Sequence, residues 1–284
     1  MNSFFRKLLS LAASCVAMAL APHGVVHAQG VAMALDRAGD VDVSAGGKSG
    51  RLNVLDYLPA EAELKLAAGA SATLVYLATS QEWQFAGPGR YKLQPAQPST
   101  LQGAAPRARG VPAPSAQAMA KMEPAQRERM ALGAVVMRAT GPLRLVGPNG
   151  VDVLGQRPTF LWQAPDQQQV RISVFGEASK TPVVQATVTG NQWRAPADLP
   201  PGDYTWRAET VTDPQPAART GRFTVIADID ERRARIGAEP SGFAQRVARA
   251  VQLESEDLPH DALVLWRALA AERPEEESLR QWAK

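Results

Sequence analysis

The sequence predicts a mainly β protein with a helical C-terminal tail. Two observations lead to this. Short runs of alternating apolar and polar residues, cut by turn residues, fill most of 31–95 and 141–227. From residue 229 onward the apolar spacing changes to a period near 3.6.

The N-terminus reads as a cleavable export signal. Arg6 and Lys7 are followed by an uncharged apolar run from Leu8 to Ala21, and Val26-His27-Ala28 offers a cleavage site before Gln29. That run is shorter than the ~20 residues a membrane span needs. The mature chain, 29–284, is therefore expected to be periplasmic or secreted, without a membrane span. Ala12-Ala13-Ser14-Cys15 offers a second reading, a lipid-anchored protein attached through Cys15.

Cleavage has chemical consequences. It removes Cys15, the single cysteine, together with His23 and His27, leaving His260 as the last histidine. No disulfide is then expected, and a zinc site built from His and Cys ligands is excluded. The leader carries two of the 31 basic residues and none of the 28 acidic ones, so the mature chain has 29 against 28. Nucleic-acid binding needs a concentrated basic face, which this balance does not supply.

Within 29–95, Ala62, Leu64 and Leu66 alternate with Glu63 and Lys65. Ala72, Leu74 and Tyr76 form one face of the next run, with Val75 and Leu77 on the other, as in a strand covered on both sides. Trp83 and Phe85 point one way, and Glu82 and Gln84 the other. Gly87-Pro88-Gly89 marks a turn, and Tyr91 and Leu93 follow. The stretch 96–133 is rich in Pro, Ala, Gln and Ser and reads as a linker, with a short helix from Pro124 to Leu132.

In 134–227 the strands are clearest. Phe160 and Trp162 share a face, as do Val170, Ile172 and Val174; Tyr204, Trp206 and Ala208 point in while Thr205, Arg207 and Glu209 point out. About seven short strands at this spacing predict an antiparallel sandwich of immunoglobulin-like type, with Trp162 and Trp206 in its core. In 228–284, Phe243, Val247, Ala250 and Val251 form one helical stripe, and Ala262, Leu263, Trp266, Leu269 and Ala270 a second. Leu258-Pro259 separates them, Pro274 ends the second, and 275–283 can form a third helix. The resulting αα-hairpin cannot bury both faces by itself, so it must dock on the sandwich or on a partner.

Two resemblances follow from these residues. Gly39-Asp40-Val41, the Leu64 to Ala70 pattern and Gly87-Pro88-Gly89 before a last strand make 29–95 similar to the FecR-like β modules of exported bacterial proteins. The resemblance implies a small β unit that senses across an envelope or binds surface components, with no catalytic residues. Arg157 to Trp162 and Pro201 to Trp206 make the C-terminal half similar to exported bacterial proteins with a sandwich before a helical hairpin. Ala250, Ala262, Trp266 and Pro274 make that hairpin resemble a single tetratricopeptide unit.

Other motifs give structural readings. Gly46-Gly47-Lys48-Ser49 ends like a phosphate-binding loop, but Asp42 stands where its first glycine is required, so a polar hairpin turn is expected. His260 reads as a solvated histidine at a helix start, and Asp261 as a stabiliser of that helix N-terminus. Glu61 with Glu63, and Glu275-Glu276-Glu277, read as solvated faces. Trp83 reads as core. Trp193, in an irregular stretch beside Arg194, and Trp282, near the C-terminus, are the two tryptophans open to either a core or an exposed contact role; with Arg194 they are the candidate contact residues.

The expected function is that of an exported, non-catalytic binding or scaffold protein of the bacterial envelope, recognising an envelope protein or polysaccharide. No cofactor or metal is expected. In this reading the sandwich and its hairpin form a platform, and the linker lets the first module search space. A periplasmic sensor arm for a membrane partner and a carboxylate-dependent glycan hydrolase are the alternatives.

Overall fold

The computed structural model describes residues 30–111, 115–122, 143–165, 168–211, 216–227, 231–236 and 240–284. The export signal, Cys15 and the helix expected over 124–132 lie outside the described residues. The described chain is mainly β, with several antiparallel sheets and a group of C-terminal helices. Among the described residues no helix is long and apolar enough to cross a membrane.

The first β unit holds β1 (Ala32–Ala38), β2 (Val41–Ala45), β3 (Lys48–Arg51), β4 (Tyr57–Leu58), β5 (Glu63–Leu66), β6 (Ser71–Tyr76), β7 (Gln81–Ala86), β8 (Gly89–Leu93), β9 (Pro98–Gln102) and β10 (Arg107–Gly110). They form two sheets, in the orders β10-β7-β6-β1-β4 and β3-β2-β5-β8-β9. Leu74, Tyr76 and Phe85 from one sheet and Leu64, Tyr91 and Leu93 from the other share a buried core. Gly46 and Gly47, both at positive φ, make the hairpin turn between β2 and β3, so the Gly46-Gly47-Lys48-Ser49 stretch is a turn leading into a strand.

One expectation for this unit changes. The supposed linker is sheet as far as residue 110, because β9 pairs with β8 and β10 with β7. Edge strands need backbone partners more than apolar side chains, so their composition imitates a linker. Glu82, on the face opposite Trp83 and Phe85, is 1% exposed and held by Arg109 of β10 at 3.1 Å and by Gln245 at 3.3 Å. Its face of the sheet is covered by a helix.

The second β unit holds β11 (Arg144–Gly147), β12 (Val151–Val153), β13 (Thr159–Gln163), β14 (Gln169–Gly176), β15 (Val184–Thr189), β16 (Gln192–Arg194), β17 (Gly202–Thr210) and β18 (Ala218–Val225). Its sheets run β11-β13-β16 and β12-β18-β17-β14-β15, with β12 parallel to β18. Trp162 and Trp206 are fully buried in the shared core, beside Phe160, Ile172 and Phe223. The Trp206 indole N–H donates to the Pro148 carbonyl at 2.6 Å. Gly221 lies opposite Trp206, and a Cβ there would fall 2.6 Å from the indole nitrogen, so only glycine fits.

The helices are α1 (115–122), α2 (Glu231–Ile236), α3 (Phe243–Ser255), α4 (Pro259–Glu272) and α5 (Glu277–Trp282). The predicted stripe Phe243, Val247, Ala250 and Val251 is buried on α3, as are Ala262, Trp266 and Leu269 on α4. Their apolar faces do not dock on the sandwich alone. One buried cluster joins them to Met33, Leu35, Val54, Leu55 and Val75 of the first unit, to Ala118, Met119 and Met122 of α1, and to Leu154 and Ile226 of the second. Val75 and Leu77 point into this cluster while Leu74 and Tyr76 point into the inter-sheet core, so β6 is covered on both sides. The expectation of a freely searching first module is corrected: its β1 face is part of the same core as the helices.

Candidate functional site

The outward residues of the five-stranded sheet build a cleft. Because Tyr204 and Trp206 turn inward, Asp203 and Thr205 turn outward. Strand register then sets one outward row as Phe175, Thr205 and Arg222, and the next as Asp203, Thr224 and Asp152. Glu177, in the turn after β14, also lines the cleft, and Asp257 and Pro259, at the turn into α4, wall it. Its volume is about 790 Å³.

Hydrogen bonds fix its polar groups. The Thr224 hydroxyl donates to Asp203 Oδ1 at 2.6 Å, and Arg232 of α2 donates to Asp152 Oδ2 at 2.7 Å. Phe175 is half-buried and Arg222 exposed. An aromatic ring, a guanidinium and planar carboxylates on one shelf can stack on a sugar ring and hydrogen-bond its hydroxyls. Among the described residues no group of three or more His, Cys, Asp or Glu side chains is placed to hold a metal ion.

The three candidate contact residues are not brought together. Trp193 is half-buried and stacks on Phe160 with ring centroids 5.6 Å apart. Trp282 is not exposed: it is 5% accessible and lies 5.7 Å from Trp266, because α5 folds back onto α4 and carries it into the helical core. Arg194 is exposed, donates to the Arg157 carbonyl at 3.3 Å, and lines a second, smaller cleft between the sandwich and the helices.

His260, Asp261 and Glu276 are corrected as well. The start of α4 is pressed against the sandwich, so His260 is buried and its Nε2–H donates to the Thr159 carbonyl at 2.8 Å. Desolvation lowers its pKa to about 4, so the ring is neutral. The Asp261 carboxylate reaches the sandwich and accepts from the Leu154 backbone N–H at 2.9 Å. Burial raises its pKa to about 6, against the lowering effect of the backbone N–H groups of Leu154 and Gly155. Glu276, read as solvated, is buried against Arg37. Glu61 and Glu63 do lie at the surface, paired with Lys92 and Arg90.

Sequence reasoning missed the sheet cleft. The outward places of Asp203 and Thr205 were visible in the alternation of β17. Their neighbours Asp152 and Phe175 were not, because they arrive through cross-strand register. No protein-family model matches the chain, and no curated protein matches it.

Proposed function

We propose that this chain is an exported, non-catalytic binding or scaffold protein of the bacterial envelope, and that the sheet cleft takes an envelope glycan. The observation that carries the reading is the cross-strand row Phe175, Thr205 and Arg222 beside Asp203, Thr224 and Asp152 on one concave shelf. The shelf combines stacking area with planar hydrogen-bonding groups, the mixture a sugar ring needs. The resemblance of 29–95 to FecR-like modules supports an envelope setting. The strand orders β11-β13-β16 and β12-β18-β17-β14-β15 support an immunoglobulin-like reading of the second unit. The pairing of α3 with α4 supports the reading as a single tetratricopeptide-like hairpin.

Titration calorimetry of the mature chain with solubilised envelope polysaccharide and peptidoglycan fragments tests the proposal. Binding should weaken about tenfold or more in Phe175→Ala and in Arg222→Gln, the loss expected for one central contact. Failure of every glycan fraction to bind would remove the reading. Release of new reducing ends, abolished by Asp203→Asn, would replace it with the hydrolase alternative.

A further inference from the structure

β15 is an unguarded edge of the second unit's larger sheet. Among the described residues it pairs with β14 on one side and with no strand on the other. An edge strand leaves half its backbone N–H and C=O groups free to pair with another strand, and edges are normally blunted by charge, proline, a bulge or shortness. The other sheet edges of the described residues carry such guards. β3 has Lys48 and Arg51, β10 has Arg107 and Arg109, and β9 has Pro98 and a bulge against β8. β11, β12 and β16 are short and carry Arg144, Asp152 and Arg194, and β4 is a single pair of residues. β15 is longer than any of these, and its sequence Val-Gln-Ala-Thr-Val-Thr has no charge, proline or glycine. Val183, just before it, is 53% exposed, the most exposed large apolar side chain among the described residues.

The free edge matches a second copy of itself. Antiparallel pairing about Ala186 sets Ala186 against Ala186, Gln185 against Thr187, Val184 against Val188 and Val183 against Thr189. Both faces of the join are then complementary. Gln185 and Thr187 are exposed on the outer face and can hydrogen-bond across it. Val184 and Val188 pack on the sandwich core but stay half-buried, so their meeting completes their burial. Trp193 of β16 is half-buried too, and β16 follows β15 after one tight turn, so it lies on the same flank of the sandwich. Charge raises no barrier. Arg171, the cross-strand neighbour of Thr187, continues into Gln185 and Ser173 of the second copy, not into another arginine. A charged partner would find no opposite charge on this strand, which favours a second copy as its occupant. We infer that the chain forms a two-fold dimer by β15–β15 pairing, which joins two five-stranded sheets into one continuous sheet. The dyad stands normal to the sheet, so the two outer faces point the same way. Whatever the sheet cleft binds, the dimer presents two such clefts on one side.

Sedimentation-velocity centrifugation of the mature full chain over a concentration series tests the inference. The wild type should pass from monomer to dimer as concentration rises. Gln185→Lys combined with Thr187→Lys sets like charges opposite each other on both sides of the dyad and should weaken association about tenfold or more. Gln185→Lys combined with Thr187→Glu sets opposite charges at the same places and should restore it. Both positions are exposed, so both variants should keep the fold, checked by circular dichroism. A wild-type chain that stays monomeric throughout overturns the inference, as does association unchanged in the first variant or lost in both. None of these outcomes touches Phe175 or Arg222, so the glycan reading stands or falls separately.

Discussion

Arg37 in β1 and Glu276 at the head of α5 form an ion pair of 2.6 Å with both side chains buried. The same carboxylate accepts from the Val54 backbone N–H at 3.0 Å, and the Ser278 hydroxyl donates to the Val54 carbonyl at 2.5 Å. The last helix is thereby tied to the first β unit across more than 200 residues of sequence. Arg37→Ala would leave a buried carboxylate without its cation, which costs about 3–5 kcal/mol. Urea denaturation should show that loss. A double-mutant cycle with Glu276→Gln should give a coupling above about 1 kcal/mol. Additive losses would mean that the pair contributes nothing specific.

The shared core predicts how fragments behave. Met33, Leu35, Val54, Leu55 and Val75 face the helices. A chain ending before α2 should therefore expose that face, bind an apolar dye and aggregate. A fragment stopping at residue 95 should fare worse, since it also strips β9 and β10 from the edges of β8 and β7. Light scattering and dye fluorescence of fragments 29–95 and 29–111 check this, with the intact chain as reference. Equal solubility of all three would contradict the shared core.

Trp282 should behave as a core residue. Trp282→Ala removes a buried indole from beside Trp266, and such truncations cost about 3–5 kcal/mol. Denaturant midpoints would show it. Arg194→Ala, at an exposed site, should stay within about 0.5 kcal/mol of wild type. The opposite ranking would return Trp282 to the surface.

These contrasts show what the sequence could reveal. Periodicity located the inward faces of β6, β14 and β17 and the buried stripes of α3 and α4, because each depends on local geometry alone. It even marked Val75 and Leu77 as covered, since apolar residues on both faces of a strand need two layers. It could not show what covers a polar residue. Glu82, Glu276, His260 and Asp261 occupy positions that are exposed on an isolated strand or helix. Glu82, Glu276 and His260 are buried, and Asp261 half-buried, because a distant element arrives with a matching partner: Arg109 and Gln245, Arg37, Thr159 and Leu154. The sheet cleft was hidden for the same reason, since β12 reaches β18 only through parallel pairing.

The neighbours His260 and Asp261 predict opposite pH slopes at the junction of α4 with the sandwich. The His260 pKa falls from 6.5 to about 4 on folding, so between those values the unfolded chain binds more protons and acid destabilises the fold. The Asp261 pKa rises from 3.8 to about 6, so in that window the folded chain binds more protons and acid stabilises it. From pH 7 to pH 5 the first effect removes, and the second restores, about 1–2 kcal/mol. The two largely cancel in the wild-type chain. Single variants separate them. His260→Gln should make stability rise, relative to wild type, as pH falls from 7 to 5; Asp261→Asn should make it fall. Asp56, also raised to about 6 by burial, contributes equally to every chain and drops out of the comparison. Urea denaturation of the three chains at pH 7 and pH 5 measures the differences. Slopes of the same sign in both variants would mean that the two side chains are not buried against the sandwich as described, because only desolvation of a cation beside desolvation of an anion gives opposite signs.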